Sequence, residues 1–171
     1  PLFLTKRKAC SIWLLLLEDE YAQLLEPASV AGLRQRLASL RWFKNYQSIP
    51  LAGLHGERSL NRFDLMDLSL LLDQVVMDFG CNIGPSCLKT VQAGAREVIG
   101  VEGMRDTWEG AVEIGLLAGF QNLKYLNVDF NAPDFDAAIN KQCPDRVDYS
   151  FFFSVYRTKE LVQRDRLFQY I

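Results

Sequence analysis

The chain has a single histidine, His55, and only four cysteines, Cys10, Cys81, Cys87 and Cys143, none of them spaced as a C-x-x-C pair. A structural zinc site draws on Cys and His ligands, commonly in close pairs, so this composition argues against one and no metal is expected. The cysteine spacing does not match a disulfide framework either, and a reducing, cytoplasmic setting is the expectation. Extended apolar runs are scarce. The stretch Ile12–Leu17 follows Lys6-Arg7-Lys8, but Glu18, Asp19 and Glu20 end it at once and no small-residue cleavage site follows. It is too short to span a bilayer and wrongly flanked for a signal peptide, so it is expected to start a helix, with no membrane partner. A dominant charge of one sign is also lacking. Residues 1–66 hold nine Lys/Arg against six Asp/Glu, and residues 67–171 hold ten against fifteen, for a net charge of −2. The asymmetry is mild, and the net charge argues neither for nor against a particular partner.

What is present is globular. At 171 residues and 49% apolar composition, the expectation is one main domain over 67–171 with an N-terminal helical extension over 1–66. Residues 10–26 and 28–44 carry apolar residues at helical spacing, separated by Pro27. Arg34, Arg36, Arg41 and Lys44 lie beside Trp42 and Phe43, a mixture that suits either RNA or, more simply, a solvated helix face.

The most informative stretch is Val75-Val-Met-Asp-Phe-Gly-Cys-Asn-Ile-Gly84. An apolar run reads as a buried strand. It feeds a turn containing Gly80 and Gly84, and Pro85 suits the first position of a following helix. The free N–H groups of that helix start and the permissive glycines would form a nucleotide-sized cradle. A dinucleotide fingerprint reads G-x-G-x-x-G. Here the order is Asp78-x-Gly80-x-x-x-Gly84, and an acid ahead of the first glycine suits a cationic ligand better than a pyrophosphate.

Downstream the pattern alternates. A helix over Pro85–Ala93 stops at Gly94, and a strand over Glu97–Glu102 follows. Asp106 and Glu109 read as a capping box for a helix ending near Gly119. A strand over Lys124–Val128 ends at Asp129, a helix over 134–142 follows, Val147–Phe153 is a fourth strand, and Thr158 caps a last helix. Strand and helix alternating in this way imply an α/β doubly wound parallel sheet, whose strand ends share one edge. Ligands bind at that edge. It gathers Asp78, Gly80, Glu102, Asp129 and Ser154.

These motifs together resemble the class I S-adenosylmethionine-dependent methyltransferases, with a Rossmann-like fold, over roughly residues 75–156. The branch resembled includes tRNA wobble-uridine modifying enzymes and uncharacterised bacterial methyltransferases. The resemblance implies S-adenosyl-L-methionine as cofactor and S-adenosyl-L-homocysteine as product. It assigns the methionine end to the turn with Asp78, Phe79, Gly80, Cys81, Asn82 and Gly84. It assigns the ribose hydroxyls to Glu102 beside Gly103, the adenine amino group to Asp129, the adenine ring to Phe130, and the floor under the methyl to Ser154. The segment with Gly53, Gly56, Arg58, Asn61, Arg62 and Phe63 resembles an approach segment of the same family, and one of Arg58 and Arg62, with Arg62 preferred, is the expected partner of the ligand carboxylate. His55 and Tyr156 fall where a base could sit, but each suits a structural role. A domain of this class has more strands than this chain supplies, so an incomplete C-terminal half is expected. The methyl acceptor is open, a small molecule or RNA. The rival functions are an NAD-dependent oxidoreductase and a non-catalytic nucleotide- or RNA-binding module on the same fold.

Overall fold

In the computed structural model of the chain the described residues are 61–153, together with 31, 32, 35, 155, 165 and 167. Ala31, Gly32 and Gln35 are helical and fall in the second expected helix. The expected helix over 10–26 lies outside the described residues, as does Thr158, and of the expected C-terminal helix only Asp165 and Leu167 are described.

Val75–Phe79 is buried at every position, which in a parallel sheet means cover on both faces. This strand, β1, alternates accordingly. Val75, Met77 and Phe79 join one apolar cluster, and Val76 joins another on the opposite side. β1 is flanked by β2 (Glu97–Glu102) and β4 (Tyr149–Phe151), and β3 (Leu123–Asn127) lies outside β2, giving an all-parallel order β3-β2-β1-β4. Helix α1 (Pro85–Gln92) follows β1, α2 (Arg105–Ala118) follows β2 and α3 (Phe135–Gln142) follows β3. Cys87 and Val91 of α1 pack with Val76 and Val98, whereas Phe135 and Ile139 of α3 pack with Met77, Phe79 and Ile99. Helices on both faces make the sheet doubly wound. The strand order reverses at β1, so the switch point of the topology lies at its C-terminal end. The expected fold class is the one observed.

Several boundaries depart from expectation, most of them by one or two residues. Strand β3 begins one residue early and stops at Asn127, because Asp129 accepts the N–H of Asn131 through Oδ1 (2.9 Å) and turns the chain. Helix α2 is capped at Met104, not at Asp106. Glu102 Oε1 already accepts the Met104 N–H (2.9 Å), so the helix starts two residues sooner and Glu109 pairs instead with Arg105 (2.9 Å). Strand β4 is short for a related reason. The backbone N–H of Asp148 donates to Val75 O (2.8 Å), while its Oδ2 accepts the Val75 N–H (2.9 Å). A side chain thereby takes the place of a ladder carbonyl, and regular pairing begins only at Tyr149.

That exchange has a measurable consequence. The Val75 N–H, more than the Arg146 guanidinium at 2.8 Å, holds the Asp148 carboxyl below its ordinary range. A carboxyl with a depressed folded pKa stabilises the fold above its unfolded pKa and loses that contribution as pH falls through the folded value. Asp148→Asn keeps an acceptor and removes the charge. The variant should be less stable than wild type at neutral pH, and the gap in thermal unfolding should close as the pH drops below the carboxylate range. A gap independent of pH would mean that the charge contributes nothing.

Candidate functional site

The turn after β1 is shaped by three left-handed residues, Gly80 (φ 73°), Asn82 (φ 55°) and Gly84 (φ 82°). Glycine adopts this region without strain, and asparagine tolerates it. The Cβ positions of both glycines face protein. A methyl on Gly80 would meet Val155 Cβ at 2.8 Å, and one on Gly84 would meet the Tyr125 side chain. Four of the expected donors are also engaged. The N–H groups of Gly80 and Cys81 both donate to Val101 O (2.8 and 3.1 Å), that of Asn82 to Glu102 Oε2 (3.0 Å) and that of Gly84 to Cys81 O (3.0 Å). Pro85 at the first helical position has no N–H to offer. Four N–H groups of the turn are thus held within the protein, so fewer of them face a ligand than the glycine pattern alone implies.

Glu102, at the C-terminal end of β2, is 9% exposed. Each carboxylate oxygen accepts one backbone N–H, from Asn82 and from Met104, so this side chain ties the β1 turn to the start of α2. An ionised carboxylate offers about four lone-pair sites, and with the Gly103 N–H also drawn toward it the group keeps capacity for a further donor. Burial raises its pKa, and the bonds from Met104 and Asn82 oppose that rise. Beside it, Asn127 Nδ2 donates to the carbonyls of Glu102 (2.8 Å) and Gly103 (3.2 Å). A Cβ on Gly103 would make only ordinary contacts, so glycine is not required there.

Asp78 is buried on the α1 face, with the Cys87 thiol donating to its Oδ2 at 3.7 Å. Cys81 and Cys87 are buried thiols, raised in pKa chiefly by burial, and neither has the character of a nucleophile. The Phe79 side chain is core, stacked on Phe152 at 4.8 Å between ring centroids. Phe130 packs on Phe135 (5.6 Å) and Phe79 (6.4 Å), with 8% of its surface exposed. Asp129 stands exposed just beyond β3. Arg62 lies in a short 3-10 helix, Asn61–Leu65, anchored by Phe63 against Phe151 and Phe153; its side chain, like Ser154, Arg58, His55 and Tyr156, is outside the described residues. The sheet edge thus brings together Asp78, Gly80, Cys81, Asn82, Gly84, Glu102, Gly103 and Asp129.

Two residues at this edge escaped the sequence analysis. Met104 is 42% exposed beside Glu102, an apolar side chain left in solvent at the start of a helix. An apolar residue two places after a strand-end acid was the available signal. Tyr125 was read only as part of a strand, and nothing local marks its reach to the turn.

No protein-family model matches the chain, and no curated protein sequence does. Solved structures do share its fold. WbdD, described as a bifunctional kinase-methyltransferase, matches with a TM-score of 0.57 and 17% identity over 72% of this chain and 28% of WbdD. The chain therefore corresponds to under a third of that protein's length. A putative RNA methyltransferase from Pyrococcus horikoshii, PH1948, matches with a TM-score of 0.42 and 22% identity over 71% of this chain and 55% of that one. Trypanosoma brucei PRMT1, in a complex with S-adenosylhomocysteine, matches with a TM-score of 0.41 and 27% identity over 52% of this chain and 26% of that one. The likeness to WbdD carries the fold alone, a parallel sheet with flanking helices of Rossmann-like architecture.

Proposed function

We propose that the chain binds S-adenosylmethionine at the C-terminal edge of the sheet and serves methyl transfer to an acceptor. One observation carries this reading: the Glu102 carboxylate, tied in place at the C-terminal edge by Asn82 and Met104, keeps acceptor capacity for a diol, while four N–H groups of the neighbouring turn are bonded internally. A cofactor with a ribose fits such an edge. Glu102 would accept from the ribose hydroxyls, and Asp129 from the adenine amino group. Met104 would add apolar cover near the adenine, with the edge of Phe130 beneath. Asp78 and the glycine turn would border the methionine end, and Arg62, whose chain neighbour Phe63 packs against Phe151 and Phe153, is the donor proposed for its carboxylate. When bound, the cofactor supplies a sulfonium methyl open to in-line displacement. The chain's contribution is to hold and orient, which is where such catalysis gains its rate.

Titration calorimetry with S-adenosylhomocysteine and, separately, NAD tests the proposal. Binding of the first with little or none of the second is the expected result. Equal or tighter binding of NAD would replace the methyltransferase reading with an oxidoreductase one. Binding of the product analogue without consumption of S-adenosylmethionine on any acceptor would favour a non-catalytic module.

A further inference from the structure

Three glycines from three separate elements border one aromatic ring. Gly100 on β2 is the direct cross-strand partner of Tyr125 on β3, and Asp78 on β1 is the partner of Gly100, so the three residues form one row across the sheet. With no side chain at Gly100, the tyrosine lies across β2 toward β1. A Cβ at Gly100 would sit 2.5 Å from Tyr125 Cδ1, and one at Gly115, on α2 above, would sit 2.9 Å from Cε2. At its far end the ring abuts Gly84. The hydroxyl lies 3.5 Å from Gly84 O, the carbonyl that also accepts the Leu88 N–H (3.0 Å) and so begins α1. The same hydroxyl lies against the Cys87 thiol, next to Asp78.

We infer that Tyr125 is a positioning residue that spans the sheet from β3 to the glycine turn and sets the spacing between the two ends of the cofactor site. The inference rests on the cofactor reading above. The adenine end of that site belongs to the residues just past β3, Asp129 and Phe130, and the methionine end to the turn at Gly80–Gly84. Tyr125 is fixed at its backbone in β3, where Trp108 Nε1 also bonds its carbonyl (3.1 Å), and its tip meets the turn. A rigid ring in a close-fitting slot transmits position because packed interiors do not deform continuously.

Gly115→Ala is the decisive variant. Alanine is the better residue inside a helix, so α2 itself gains from the change. The new methyl, however, must move the ring along its slot. The helix gain offsets only part of the overpacking against the ring, so Gly115→Ala is expected to unfold slightly below wild type, to bind S-adenosylhomocysteine about tenfold more weakly, and to bind adenosine as wild type does. In the ligand-free protein, amide exchange should quicken at Gly80, Cys81, Asn82 and Gly84 while the β1 and β2 amides stay protected. Unchanged affinity and exchange would overturn the inference. So would a parallel loss of both ligands and of thermal stability, which marks a purely structural residue. Should Gly115→Ala not fold, Tyr125→Phe decides by the same exchange measurement: quickening confined to the turn upholds the inference, and its absence overturns it. If wild type binds no S-adenosylhomocysteine, the cofactor reading fails, while the exchange data still decide whether Tyr125 holds the turn.

Discussion

Glu102→Ala is expected to weaken S-adenosylhomocysteine binding by about 1.5–3 kcal/mol, the range for hydrogen bonds to a charged group. The structure adds a second consequence that a simple strand-end acid would not have. The carboxylate accepts the N–H groups of Asn82 and Met104, and truncation leaves both without their acceptor at a site only 9% exposed. Each buried donor left unsatisfied costs about 1–3 kcal/mol, less where water enters, so the variant should also unfold at a lower temperature. Glu102→Gln separates the two effects. The amide retains one carbonyl acceptor but presents an NH2 to the other N–H, and it removes the charge. It should keep more of the stability than alanine does while losing a similar share of the binding.

The pH dependence supplies an independent check. Burial raises the folded pKa of Glu102. In the window between the unfolded and folded values the folded chain holds the proton more readily, so this group's contribution to stability falls as pH rises through the window. Ligand binding runs the other way. Two ribose hydroxyls donate to the ionised form, so affinity should fall as pH drops through the raised pKa, and binding near that pH should release protons. Calorimetry in buffers of different ionisation enthalpy reads the release directly. No proton release across the weakly acidic range, with unchanged affinity for both variants, would remove Glu102 from the site.

Sequence alone disclosed the sheet because each strand is a short apolar run and each helix carries its own stop signal, Gly94 after α1 and Gly119 after α2. It placed Glu102 and the turn at one edge because topology requires that. Three of the misjudged boundaries share a cause: a side chain standing in for a backbone group. Asp148 replaces a ladder carbonyl, Glu102 accepts the Met104 N–H ahead of the cap expected at Asp106, and Asp129 ends a strand by accepting from Asn131. The first depends on a partner 73 residues away and leaves no local pattern, whereas the other two act two residues along the chain, a turn signal that the strand and cap readings overrode. The donors of the turn were misjudged similarly, since the carbonyl of Val101 that takes two of them lies on the neighbouring strand. Tyr125 was hidden because its partners, Gly84, Gly100 and Gly115, come from three elements and meet only in the folded sheet.

Gly84→Ala should be the most damaging single methyl in the described domain, and the reason distinguishes two accounts of the glycine. If Gly84 exists to let a ligand approach, alanine would spare the fold and weaken binding. The geometry requires more. Gly84 has φ 82°, a conformation that costs an alanine about 1–2 kcal/mol. Its missing Cβ lies against the Tyr125 hydroxyl, with Cζ at 2.7 Å and Cε1 at 2.9 Å, and overpacking of this kind costs about 1–3 kcal/mol more. The ring cannot retreat freely, since Gly100 and Gly115 border it. The two costs together are expected to remove roughly 2–5 kcal/mol of stability in denaturant unfolding, a large share of what a domain of this size commands. Tyr125→Phe removes the atom nearest the new methyl but leaves the backbone strain. In a double-mutant cycle it should therefore recover part of the loss in Gly84→Ala, giving a coupling on the order of 1 kcal/mol between residues 41 positions apart. A Gly84→Ala protein as stable as wild type, or strictly additive effects in the cycle, would return the glycine to a role in ligand approach alone.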